Sequence, residues 1–260
     1  MKATNTIKTK HSSLTVFVHI PKTAGSTVNH HLQLSHLSGQ DHIEQWLGNP
    51  QVAKDKIRYL DWVSGHISFP SMRCFLAECS PRHMLYFSIF RDPIKQITSH
   101  YNWLIEIFHK SEGFYNSHPE NIKKISETIR NSANNEPLAI ISNLKSFPGL
   151  FLNQQSRVLL GEDATLLSEE EILNRLQAYE FVATERTLDV LIERLTDNAS
   201  SAPSHENKSG YHFDPAVFRS PQMQEFLSEH HKTDMVIYDI LMRHGGCFPR
   251  PSLLQTRRRV

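Results

Sequence analysis

Residues 16–28 read VFVHIPKTAGSTV, an apolar run that stops at a proline, then a lysine followed at once by small and hydroxyl residues. The run from Leu14 to Ile20 is rich in β-branched residues and bounded by Pro21, the pattern of a short buried strand. Ser26 to Leu37 then suits a helix, with Val28, Leu32 and Leu37 near one face. Strand, tight loop and helix form the geometry in which backbone N–H groups converge on an anion. Lys22, Thr23, Ser26 and Thr27, with Gly25 allowing close backbone approach, would line a small anion pocket. The loop is not a Walker A loop, which reads G-x-x-x-x-G-K-[ST] with a glycine well upstream of its lysine. Here Lys22 comes first and Gly25 follows it. An ordinary strand-to-helix turn with a surface lysine fits the same residues.

A second unit of the same kind lies at 84–108. MLYFSIF reads as a strand, RDP as its turn, and IKQITSHYNWLIEIF as a helix. Asp92 fits the helix cap and Pro93 the first turn, where its missing N–H costs nothing. Arg91 stands where the strand ends, placed to reach a ligand above the sheet edge. Ser99 follows eight residues on, about two helical turns. A guanidinium matches phosphate in bidentate fashion, and a hydroxyl would complete the contact. The alternative is a structural salt bridge from Arg91 to Asp92. Two anion-ready turns suggest a ligand with two separated anionic groups.

The remainder keeps the alternation. Ser168 and Glu171 form a capping box for SEEEILNRLQAY; EFVAT reads as a short strand and ERTLDVLIERL as the helix after it. Strands alternating with helices predict an α/β fold with a central parallel sheet flanked by helices. The polar stretch 109–137 reads as a long loop or an irregular helical insertion, and 197–213 as the clearest loop in the chain. Two helices follow over 220–244. Residues 1–12 are polar, and the chain ends in a basic tail from 250. The expectation is one domain over 1–260.

Bulk composition narrows the classes. The chain has 260 residues, 39% hydrophobic and 21% charged, and a formal net charge of +1. That balance gives no reason to expect a nucleic-acid partner, so any anion site must be local. Cys74, Cys79 and Cys247 make neither a disulfide framework nor a metal-finger spacing, which fits a reducing compartment. No stretch reaches the roughly 18 apolar residues of a membrane span, and the N-terminus lacks the apolar middle of a signal peptide. A cytoplasmic protein is the expectation.

HIPKTAGST resembles the 5′-phosphosulfate loop of sulfotransferases that use 3′-phosphoadenosine 5′-phosphosulfate (PAPS), and RDPIKQITSHY resembles their 3′-phosphate motif. The wording H-I-P-K-T-A-G is similar to the branch holding the heparan sulfate 2-O- and 6-O-sulfotransferases. FVATER resembles a further strand-helix junction of that branch, and Asn207, Lys208 and Ser209 occupy the place of its late donor-closing loop. The resemblance implies a P-loop-like three-layer sandwich and PAPS as donor. It places Lys22, Thr23, Ala24, Gly25, Ser26 and Thr27 at the 5′ end, Arg91 and Ser99 at the 3′-phosphate, and Lys208 and Ser209 in the closing loop. The chain departs from the animal enzymes in lacking a membrane anchor and a paired-cysteine framework.

Sulfuryl transfer needs a base for the acceptor hydroxyl and stabilisation of the leaving phosphate. Lys22 and its loop answer the second need. For the first, WVSGHISF (62–69) sets His66 after a short apolar segment and a glycine, and resembles the G-H-x-x-[FY] stretch that carries the base histidine in the carbohydrate 2-O-sulfotransferases. An imidazole near neutral pKa suits that task; a histidine merely bonded to a backbone carbonyl is the plainer alternative. His19 is expected to pack beneath the loop, His83 to be exposed before a strand, and His100 to border the donor pocket. Glu185 is a possible carboxylate base, or compensates a helix dipole. No H-E-x-x-H or cysteine-histidine spacing marks a metal site.

A P-loop kinase is a competing reading, since Thr23 follows Lys22 where a magnesium-binding hydroxyl would stand. A non-catalytic nucleotide-binding module is another. The acceptor is expected to be a carbohydrate hydroxyl, by the wording of the motifs alone; a tyrosine peptide or lipid-linked glycan fits the same residues.

Overall fold

The computed structural model describes residues 13–35, 37–196 and 210–249. Lys208 and Ser209, with Asn207, the N-terminal dozen and the basic tail, lie outside the described residues. Strand β1 (Ser13–Val18) is the middle of the fold. Its side chains alternate: Leu14, Val16 and Val18 enter one core and Phe17 enters another, on the opposite face of the sheet. β1 pairs in parallel with β3 (Trp62–Gly65) on one side and β4 (His83–Phe90) on the other. With β2 (Gly39–Gln40), β5 (Phe181–Thr184) and β6 (Cys247–Phe248) the sheet has six strands in the order β2-β3-β1-β4-β5-β6. Among the described residues only β6 runs antiparallel, against β5.

Both faces are covered, as a largely parallel sheet requires. Helices α1 (Gly25–Leu34) and α11 (Leu188–Thr196) close one face through Val28, Leu32, Leu188, Leu191 and Ile192. The other is packed by α2 (Pro50–Ile57), α3 (Phe69–Cys79), α9 (Gln154–Leu160), α10 (Glu169–Leu176) and α13 (Lys232–Arg243). The fold is thus α/β, a parallel sheet between two helical layers.

A third apolar cluster stands apart from the sheet. The long helix α4 (Pro93–Lys110) is its spine, joined by α6 (Glu120–Arg130), α7 (Pro137–Ser146), α8 (Pro148–Phe151) and α12 (Pro221–His230). Its anchor is Tyr101, fully buried, whose hydroxyl donates to Asn134 Oδ1 at 2.6 Å and accepts from Asn143 Nδ2 at 2.7 Å. The α4 start forms as its sequence dictates: Asp92 Oδ1 accepts from the Lys95 amide at 3.0 Å, and Pro93 opens the first turn. Ser168 and Glu171 make the expected capping box at α10.

Several boundaries differ from the sequence reading, among them the end of α1, which stops at Leu34 short of the expected Leu37. Of the two options for 109–137, the structure takes the helical one: α5 (Glu112–Asn116) and α6, the latter presenting Ile122, Ile125 and Ile129 to the α4 cluster. The helix after β5 begins at Leu188 rather than at Glu185, because Thr184 and Thr187 turn the chain by donating to the carbonyl of Gly246.

Candidate functional site

The carboxyl ends of β3, β1, β4 and β5 lie side by side, and each releases one piece of the candidate site. β1 feeds the loop 19–24. Lys22 (φ 66°) and Ala24 (φ 75°) both adopt the left-handed conformation that side chains disfavour. Two such residues in one short turn store strain of about 1–3 kcal/mol each, a feature that clusters at ligand clamps. Thr23 stabilises the turn from inside, its buried hydroxyl donating to the Ile20 carbonyl at 2.9 Å. Ala24 offers the helix that follows no side-chain cap. The first amides of α1, at Gly25, Ser26 and Thr27, therefore face the loop without the oxygen that usually satisfies a helix start. A Cβ on Gly25 would lie 2.0 Å from the His19 ring, so any side chain there would force the ring or α1 to shift. Thr27 is buried and Ser26 exposed.

β4 releases Arg91, whose Nη1 donates to the Lys22 carbonyl at 3.0 Å. Its main chain is clamped by Gln155 of α9, which accepts from the Arg91 amide at 2.8 Å and donates to its carbonyl at 3.0 Å. Asp92 serves the α4 cap, so the Arg91–Asp92 salt bridge is not the arrangement adopted. Gln96, one turn into α4, donates to the Pro21 carbonyl at 3.0 Å and to Gln154 Oε1 at 2.9 Å. Ser99 follows Gln96 by three residues and so lies on the same side of α4, one turn further on. Asn102, another turn along, holds the chain at Gly210 and His212 through bonds of 3.2 and 2.8 Å.

β3 releases His66. Its Nδ1 lies 2.9 Å from the His19 carbonyl, which can only accept, so Nδ1 carries the proton and Nε2 keeps a lone pair. The His66 amide donates to Glu44 Oε2 at 3.1 Å, and the imidazole lies against that of His19, centroids 4.0 Å apart. Desolvation by its neighbours lowers the His66 pKa below the ordinary histidine value, although Glu44 and the His19 carbonyl act the other way. The ring is therefore neutral at pH 7 and can accept a proton.

Electrostatics tie these pieces together. Burial lowers the pKa of the Lys22 ammonium; Glu106 of α4 raises it, and Arg91 and Lys110 lower it again. Lys22, Arg91 and Lys110 thus share one positive region, with Glu106 as counter-charge. His100 is buried, with Nδ1 lacking a partner and a pKa pushed down to about 3, chiefly by burial and then by Lys22.

The structure thus brings Arg91 onto the loop that holds Lys22, Thr23, Ala24, Gly25, Ser26 and Thr27, with His66 tied to the same loop through the His19 carbonyl; Ser99 stands half-buried on α4, about two turns beyond Arg91. His19 packs beneath the loop against Gly25, as the sequence suggested; His100 is buried within α4, and His83 is exposed at the first position of β4. Glu185 has a different role from either expected one. It accepts from the Asp92 amide at 3.2 Å and the Tyr238 hydroxyl at 3.2 Å, and pairs with Lys95 at 3.6 Å, so it braces the β4–α4 turn. Sequence reasoning missed Glu44, His42, Glu106, Gln96 and Gln155. Only Glu106 carried a signal, its seven-residue spacing from Ser99, which puts both on one side of α4; the others meet the site through long-range contacts.

No protein-family model matches the chain, and no curated protein matches it. Among the described residues, no helix is long and apolar enough to cross a membrane.

Proposed function

We propose that this chain is a PAPS-dependent O-sulfotransferase of P-loop-like architecture. The observation that carries the reading is the bond from Arg91 to the Lys22 carbonyl, which joins an uncapped helix start to an arginine at the neighbouring strand end. Such a pair fits a nucleotide with an anion at each end: a 5′-phosphosulfate on the amides of 24–27 and Lys22, and a 3′-phosphate near Arg91 and Ser99.

His66 Nε2 takes the proton of the acceptor hydroxyl as its oxygen bonds to sulfur. The bond from sulfur to the bridging phosphate oxygen breaks in line with the attack, and the electron pair stays on that oxygen. Lys22 and the α1 amides stabilise the charge that develops there, fixed in place beforehand by the Thr23 and Arg91 bonds. A carbohydrate hydroxyl remains the acceptor class favoured by the motif wording. Three free cysteines suit a reducing, cytoplasmic setting.

The kinase reading is disfavoured by Thr23, which is 1% exposed beneath the loop and so out of reach of a metal held on a nucleotide above it. Incubation with ³⁵S-labelled PAPS and a panel of sugar, peptide and lipid-linked acceptors tests the proposal. Metal-independent label transfer by the native chain, lost in His66→Ala, is the expected result. Magnesium-dependent phosphoryl transfer from ATP instead would overturn it.

A further inference from the structure

His42 and Glu44 come from the turn after β2, and His66 from the end of β3. Parallel pairing of Gly39 with Trp62 and Gln40 with Val63 brings these two segments together. The side chains then converge, one donor atom from each lying within 4.8 Å of the others. Glu44 is placed from both sides. Its Oε1 accepts from His42 Nδ1 at 2.9 Å and its Oε2 from the His66 amide at 3.1 Å. A Cβ on Gly65 would come within 2.8 Å of that carboxylate, so the glycine makes room for it. His42 is itself held at φ 52°, in the left-handed region.

We propose that His42, Glu44 and His66 form a site for a divalent transition cation of the zinc type, and that its occupation excludes proton transfer at His66. Two imidazoles and one carboxylate are the donor set of open, three-ligand zinc sites, in which water fills the fourth position. The His66 ring already has the support that metal-bound histidines receive: Nδ1–H is fixed on a backbone carbonyl and Nε2 points away from it. Both imidazoles are exposed and Glu44 is half-buried, so an ion can enter from solvent. Magnesium, which demands oxygen ligands in an octahedron, does not fit two nitrogens so placed. Metal binding to the three side chains stands by itself; the inhibitory consequence rests on the reading of His66 as the base.

Calorimetric titration of the full chain with zinc chloride tests the site, with His42→Ala and His66→Ala as variants whose folding is checked by circular dichroism. The site predicts one ion per chain, binding weakened about tenfold or more in each variant, and no competition from millimolar magnesium. His42 is exposed, so its variant carries the test if His66→Ala misfolds. Zinc affinity unchanged by His42→Ala would overturn the site, showing that the ion sits elsewhere among the sixteen histidines. Sulfuryl transfer from PAPS should be inhibited by zinc, restored by a chelator, and require about tenfold more zinc for inhibition in His42→Ala. Zinc binding mapped to these residues without any sulfuryl transfer would leave the site standing and remove the proposed activity. Transfer that zinc at saturating occupancy does not slow would overturn the exclusion.

Discussion

Arg91 Nη1 donates to the carbonyl oxygen of Lys22 at 3.0 Å, so the residue ending one strand holds the loop that follows its neighbour. That bond uses a single guanidinium nitrogen and leaves the rest of the fork for a ligand. Arg91→Lys keeps the charge but loses the fork. It should weaken binding of 3′-phosphoadenosine 5′-phosphate (PAP) by about 10- to 100-fold, the range for a charged hydrogen bond of about 1.5–3 kcal/mol. Calorimetry on the variant checks this, and affinity within twofold of native would show that Arg91 serves the loop alone.

Gly25→Ala tests the crowding beneath the loop. The new methyl meets the His19 ring, and His19 supplies the carbonyl that fixes His66. Relief of the clash must displace either α1 or His19. A stability loss of about 1–3 kcal/mol is expected, as for other overpacked sites, with weakened PAP binding. Chemical denaturation and a binding titration give both numbers.

His66→Ala should reduce turnover by about 10²-fold or more, the usual contribution of a positioned general base, while PAP affinity stays within about twofold. Substantial activity in this variant would reassign the base, with Glu106 next in line because it faces Lys22. Single-turnover transfer and PAP titration on the same preparation separate the two effects.

His100 makes stability depend on pH with a definite sign. Folding holds its pKa at about 3, whereas an unfolded histidine titrates near 6.5. The folded state therefore favours the neutral ring, and its stability is full above pH 6.5 and declines as the pH falls toward 3. At pH 5 the loss from this residue is about 2 kcal/mol. Urea denaturation at pH 7 and pH 5 should show it, and His100→Gln should reduce the difference. An identical pH difference in the variant would contradict the assignment.

The strands β1 and β4 were legible because each is an apolar run ended by a chain-turning residue, and proline marks both loops. The capping residues Asp92 and Ser168 act within three positions of themselves, so local sequence held everything needed. Glu44 was not legible. It meets His66 across 22 positions, through a two-residue strand too short to show any periodicity. Gln155, 64 positions from Arg91, likewise leaves no mark on the sequence around it. Glu185 misled because a carboxylate before a helix normally compensates its dipole, while here it is drawn to the Asp92 amide and Lys95. Helix α6 hid in a polar stretch because only its three isoleucines, Ile122, Ile125 and Ile129, join the apolar cluster around α4.

The two-anion clamp is the centre of the account, and a paired calorimetric titration of the native chain with PAP and with ADP tests it most directly. The two ligands share an adenosine 5′-phosphate and differ in whether a second anion sits on the 3′-hydroxyl or extends the 5′ chain. PAP should bind at least about tenfold more tightly than ADP, and Arg91→Lys should remove most of that preference. Equal affinities for the two in the native chain would contradict it.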